Sequence, residues 1–250
     1  MRMRSFNFVI VICTTALLGC VTDDATSSAD KPEFTTKVTD TLSKHQRPFI
    51  AALPTIGLLM YEGVLQSEVI AASDVFAKPT EDGKQLFNVV SIAETNQYIT
   101  TEEGMHFAPD YTFENCPILS VLFVPSAYDM YAQVNNNEII DFIKEKNEET
   151  QYTVSNCAGA QLIGKSGIAD GKKIVTWIGG GEQLQKDYPK LIVQNDSLVT
   201  YVADGKFLSS NGNLASYVSA LNLLEKLTSL EHRRFVESYL YLDRLQNWRD

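Results

Sequence analysis

Tyr152-Thr153-Val154-Ser155-Asn156-Cys157-Ala158-Gly159-Ala160-Gln161-Leu162-Ile163 is the stretch from which the rest of this chain is read. A β-branched run reaches a cysteine, and small residues then open a helix. A strand that turns at once into a helix has no room for bulk beside the turning residue, hence Ala158, Gly159 and Ala160. The helix start sets unpaired N–H groups and partial positive charge beside the sulfur, which favours thiolate over thiol. Free cysteine is also among the most buried residue types, so a purely structural cysteine is the bland alternative. The place at a strand-to-helix junction favours a nucleophile.

Strands and helices alternate around this elbow. Residues 55–61 read as a buried strand, followed by Glu62-Gly63 and a helix over 65–76. Further strands fall at 86–93, 118–125, 173–177, 191–194, 198–202 and 206–209, with a hairpin of 98–101 and 105–108 around Glu103-Gly104. Helices read at 138–146, 158–166, 214–227 and 231–248. Such alternation gives an α/β layered fold with a mostly parallel sheet.

The N-terminus reads differently. Arg2 and Arg4 precede an apolar run over 6–18 that is too short to span a bilayer, and Leu17-Leu18-Gly19-Cys20 resembles a bacterial lipobox. A leader over 1–19 and lipidation of Cys20 are expected, with a tether rich in Thr, Ser, Asp and Lys over 20–44. Val21 after the cysteine resembles the pattern of outer-membrane sorting, so the expected place is the cell envelope, lipid-anchored on its periplasmic face. Residues 45–250 are long enough for one domain with its own core, ending in a helical extension over 231–248.

The chain carries a formal charge of −10, which argues against nucleic acid or anionic lipid as a partner. Of the four cysteines, Cys116 and Cys157 fall in the domain. They sit at opposite ends of two strands, roughly 20 Å apart in a parallel sheet, whereas a disulfide needs Cα atoms within about 7 Å. Two free thiols are expected. The histidines, His45, His106 and His232, are scattered, and no Cys/His pair has ligand spacing, so neither metal nor cofactor is expected.

In order and spacing, four segments make the chain resemble the ThiJ/PfpI family of the class I glutamine-amidotransferase-like superfamily, over about residues 55–227. They are residues 56–63 with Glu68 and Ala72-Ser73-Asp74-Val75-Phe76; residues 108–113 leading to 119–125; Ser155-Asn156-Cys157-Ala158-Gly159 with residues 167–172; and residues 204–212 before a helix. The resemblance implies a three-layer flavodoxin-like sandwich with a cysteine nucleophile elbow. It implies Cys157 as nucleophile and Glu68 as its acidic partner, a carboxyl that must at times be protonated because adjacent anions repel. Trp177 stands where many members carry a histidine, so no Cys-His dyad is expected, and residues 108–113 are nearest the isocyanide-hydratase branch. Pro125-Ser126-Ala127 replaces a common Pro-Gly-Gly; the backbone N–H groups of Ser126, Ala127 and Ala158 are the expected oxyanion donors, and Trp177 and Tyr128 the expected pocket walls. A homodimer is implied by the same resemblance.

Two functions follow as expectations. One is a cysteine-dependent hydratase or hydrolase of a small molecule, through Cys157 and Glu68. The other is a non-catalytic ligand-binding or redox-sensing module on the envelope, which the loss of the histidine favours.

Overall fold

The computed structural model of the protein describes residues 47–247. The leader, Cys20, the whole tether, His45 and Trp248 lie outside the described residues. The domain runs from Phe49 onward.

The first strand, β1 (Thr55–Leu59), is buried at all five positions. Helix α1 (Gln66–Phe76) follows, then β2 (Asn88–Ala93), the small antiparallel pair β3 (Ile99–Thr100) and β4 (His106–Phe107), and β5 (Tyr111–Thr112). Next come β6 (Val121–Val124), α2 (Tyr131–Val134), α3 (Asn137–Glu149) and β7 (Tyr152–Asn156). After β7 a single 3-10 turn, Cys157–Gly159, feeds α4 (Ala160–Ser166). The chain continues through β8 (Lys173–Ile174), α5 (Gly181–Asp187), β9 (Ile192–Val193), β10 (Tyr201–Asp204), β11 (Phe207–Ser210), α6 (Ala215–Leu227) and α7 (Leu230–Tyr239).

Seven strands form the main sheet in the order β10-β11-β7-β6-β1-β2-β5, parallel except for β10 against β11. Crossovers from β1 to β2 run one way along the sheet, and those from β6 to β7 to β11 run the other. Right-handed connections therefore set α1 on one face and α3 and α4 on the other. Helix α6 returns to pack on α1, and α3 packs on α4. Apolar runs fit this burial: β6 is Val-Leu-Phe-Val, buried throughout, and α3 turns Ile139, Ile140, Phe142 and Ile143 inward under an Asn136 cap whose side chain accepts from the Glu138 and Ile139 N–H groups. Each fully buried Leu, Ile or Phe contributes about 1.5–3 kcal/mol. Order reverses between β1 and β6, and a crevice at the carboxyl ends of strands is where such sheets place their sites.

The fold differs from the sequence reading in a few places. Strand 198–202 sits later, at Tyr201–Asp204, because pairing with β11 fixes its register while Leu198 stays 80 % exposed. The 173–177 segment forms two strand residues and pairs with β9 outside the main sheet. The C-terminal helix is not continuous: it ends at Tyr239, and Tyr241 takes a left-handed φ of 57° before a 3-10 turn over Leu242–Asn247.

One glycine locks the elbow to the sheet. A Cβ on Gly159 would overlap the backbone oxygen of Val124 and lie 2.6 Å from that of Pro125. A Cβ on Gly57 meets only the flexible ends of Leu119 and Ile92, at 2.7 and 2.9 Å. Gly159→Ala is therefore expected to cost about 3 kcal/mol and Gly57→Ala about 1 kcal/mol, read from urea unfolding; equal costs would contradict this account of the elbow.

Candidate active site

The site is built from four loops at the carboxyl end of the sheet. Cys157 follows β7, Glu68 lies in the first turn of α1 after β1, Ser126 follows β6, and Gly212-Asn213 follows β11.

Cys157 has φ 51°, a left-handed conformation that a non-glycine residue holds only when its surroundings fix it. The Thr176 hydroxyl supplies part of that grip, donating to the Cys157 carbonyl at 2.8 Å. Below it, Asn156 ties β7 to β11 and α6: its Oδ1 accepts from Ser210 Oγ at 2.8 Å and Ser219 Oγ at 3.0 Å.

Glu68 is 1 % exposed. Its Oε2 accepts the Ser126 N–H at 2.7 Å and the Ser126 hydroxyl at 3.0 Å, and its Oε1 accepts the Asn213 N–H at 3.2 Å. Gly212 and Asn213 both take left-handed φ, 86° and 48°, which aims that N–H at the carboxylate. A Cβ on Gly212 would overlap both Cys157 Cβ and Glu68 Oε1. The two reactive side chains thus meet over a position that only glycine can fill.

Burial pushes the Glu68 carboxyl up to about 7, against the pull of its donors from Ser126 and Asn213. Burial, and after it the negative charge of Glu68, push the Cys157 thiol up to about 11, against the Ser126 hydroxyl and the Ala158 N–H. The expectation that the helix start would favour a resting thiolate is corrected here. The N-terminus beside the sulfur is one 3-10 turn ahead of a seven-residue helix, and its partial charge is outweighed by desolvation.

Two oxyanion assignments are corrected as well. The Ser126 N–H is committed to Glu68, and the Ala127 N–H rests on Met130 Sδ at 3.1 Å, a weak acceptor. The Ala158 N–H favours the charged form of the Cys157 thiol. Trp177 is half-buried over Gly180, where a Cβ would overlap its indole. Tyr128 is 75 % exposed, so most of its ring stands in solvent. Of the described histidines, His106 pairs with Thr100 Oγ1 on the hairpin at 3.2 Å and His232 lies in α7. Cys116 and Cys157 are both free thiols.

The sequence reading missed Tyr61. It is 5 % exposed, and its hydroxyl donates to the Pro125 carbonyl. Burial, then the charges of Glu68 and Cys157, hold its phenol well above the ordinary tyrosine value, so it shares their electrostatic environment. The polar end of an apolar strand, Tyr61-Glu62-Gly63, was the available signal.

Residues 54–226 match the sequence model of the DJ-1/PfpI family. An isonitrile hydratase of Pseudomonas putida is 26 % identical over 187 residues, spanning 74 % of this chain and 77 % of that protein. Among solved structures, a ThiJ/PfpI family protein from Pseudomonas syringae superposes with a TM-score of 0.68 at 19 % identity, over 81 % of this chain and 84 % of that one. Drosophila melanogaster DJ-1beta does so with a TM-score of 0.64 at 19 % identity, over 76 % and 98 %.

Replacing Glu68 by Gln removes a buried acid whose folded pKa exceeds its unfolded one. The native state then holds more protons across that window, so the stabilisation is complete below the ordinary carboxylate range and is lost as pH rises through about 7. Wild type should lose on the order of 2–3 kcal/mol relative to Glu68→Gln between about pH 4.5 and pH 8, read from urea unfolding in both proteins. In the same variant the Cys157 alkylation midpoint should fall, by about one unit or tenfold in rate at pH 8, because the anion opposing ionisation is gone. A midpoint that rises would reverse the electrostatic assignment.

Proposed function

The chain belongs to the DJ-1/PfpI family, and we propose that it is a cysteine-dependent hydratase of small isonitriles, with Cys157 as nucleophile and Glu68 as proton carrier. The observation that carries this reading is a carboxyl at about 7 seated beside the thiol over Gly212. The likeness to an isonitrile hydratase supports the substrate class.

The chemistry balances with one thiol, one carboxyl and one water. The thiol proton moves to Glu68, which keeps the pair's total charge constant while making thiolate. The thiolate attacks the terminal carbon of R–N≡C, forming a C–S bond, and Glu68 returns the proton to that carbon, giving a thioimidate, R–N=CH–S–Cys157. Water adds to the same carbon with a proton passing to nitrogen. The C–S bond then breaks, releasing the formamide R–NH–CHO and the free thiol. Ser126 and Asn213 hold the carboxyl within reach through both protonation states.

A non-catalytic ligand-binding module is the second reading, favoured by the raised thiol, which weighs against redox sensing because sensor cysteines react as thiolates. Turnover of a small alkyl isocyanide, followed by loss of its isonitrile stretch and appearance of formamide, separates the two. Cys157→Ser should abolish turnover and Glu68→Gln should lower kcat about 10²–10⁴-fold; turnover unaffected by either would end the hydratase reading.

We place the protein on the cell envelope through Cys20, on the strength of the leader-like start and Leu17-Leu18-Gly19-Cys20. Incorporation of a labelled fatty acid, lost in Cys20→Ser, is the expected outcome; labelling that persists in that variant would exclude this anchor.

A further inference from the structure

A second cavity, of about 330 Å³, opens at the carboxyl ends of β1 and β2 beside α2 and the start of α3. Its polar wall includes Glu62, Glu94, Thr95, Gln97, Gln133 and Asn136, and its apolar wall includes Tyr98, Ile99 and Ile139. No lysine, arginine or histidine lines it.

The charged groups on this wall are both carboxylates. Glu62 Oε2 accepts the Thr100 N–H at 3.1 Å, and Glu94 Oε2 accepts the Asn136 amide at 2.7 Å. Among the described residues neither carboxylate is ion-paired. Gln133, 7 % exposed, donates its Nε2 to the Glu62 carbonyl at 2.9 Å. Its Oε1 is buried and has no partner. Turning the amide over would place Oε1 against the Glu62 carbonyl, oxygen to oxygen, so the orphan is an acceptor. Leaving a buried acceptor empty is unfavourable, and native structures explain such groups by a partner.

We propose that this cavity is a ligand site, separate from the thiol, for a small primary amine in its ammonium form carrying an apolar group. An ammonium brings three donors and no acceptor, which matches two carboxylates and one orphaned amide oxygen. The Tyr98 ring, 61 % exposed, lines the same cavity and supplies an aromatic surface. Ile99 and Ile139, both buried, supply the apolar side. A volume near the lower end of small-molecule sites, about 300–1,000 Å³, suits an arylalkyl amine and excludes a nucleotide. A bare metal ion fits less well: among the described residues no cluster of three His, Cys, Asp or Glu is arranged to hold one. Tyr61 forms the shared wall, lining this cavity while its hydroxyl grips the Pro125 carbonyl on the Glu68 side.

The test is calorimetric titration of the full chain with phenethylammonium and butylammonium chloride, with phenethyl alcohol as the uncharged counterpart. Saturable one-to-one binding of an ammonium probe is expected, unchanged in Cys157→Ala, with the alcohol at least about tenfold weaker. Glu94→Gln, at an exposed position, should weaken binding about tenfold, as should Gln133→Met. The Glu94 variant carries the test if the Gln133 variant fails to fold. Failure of both amines to bind overturns the proposal, as does equal binding of the alcohol or binding indifferent to Glu94→Gln. Competition by calcium chloride at equal ionic strength would show a metal site instead and would overturn it too.

Discussion

A single peptide unit, Pro125–Ser126, is held from both sides, and the active-site arrangement depends on it. Its carbonyl accepts the Tyr61 hydroxyl, and its N–H donates to Glu68. The two groups of a trans peptide point in opposite directions, so the phenol and the carboxylate together fix its plane. Gly159 then packs directly on this backbone, with no space for a side chain. Position passes from the first strand and helix, through the loop after β6, to the turn that carries Cys157. Burial of Glu68 follows from the same construction, because its donors are backbone and hydroxyl groups of the loops that enclose it and not a neutralising cation.

Enclosure of this kind sets the chemistry. A carboxyl stripped of water and given only neutral donors titrates near 7, in the range where a histidine ordinarily works. Although Trp177 stands where the resemblance implies a histidine, the site therefore keeps a group that can take and return a proton at neutral pH. The thiol bears the opposite consequence. It rests protonated because burial and the adjacent carboxylate both oppose its charge. Under the proposed mechanism it becomes thiolate only by giving its proton to the group that suppresses it, and activation is then confined to the encounter with substrate.

The elbow and the alternation of strands and helices were legible in the sequence because each rests on local pattern, and Glu68 was legible through the family resemblance. Residues 152–156 alternate and branch as a strand, Ala158 and Gly159 are small where bulk would clash, and Glu68 keeps its spacing from Gly63. The destinations of individual N–H groups were not legible. Ser126 and Ala127 look like free oxyanion donors until tertiary structure brings Glu68 and Met130 to them. Tyr61 reads as the end of an apolar run, and only the return of the 125–126 loop gives its hydroxyl a purpose. Strand Tyr111–Thr112 is two residues long and exists through pairing with β2. Helix Gly181–Asp187 begins on the last of three consecutive glycines, a poor helix start by propensity. The break after Tyr239 depends on one left-handed residue, Tyr241, which carries no glycine signature.

Left-handed backbone recurs where the site needs it, at Cys157, Gly212 and Asn213. Glycine bears that conformation without strain, and asparagine tolerates it better than most residues. Cysteine does neither, so its conformation has to be held by neighbours: Thr176 on its carbonyl, and Asn156 stitched to Ser210 and Ser219 beneath it. Asn156 is itself incompletely satisfied, since its Nδ2 lacks a partner, as does the Ser216 hydroxyl, also buried. An apolar residue at 156 would remove an orphan donor but also release the strand from β11 and α6. The elbow is thus retained at a local cost in hydrogen bonding, which is intelligible if the geometry of Cys157 is what the fold is under pressure to keep.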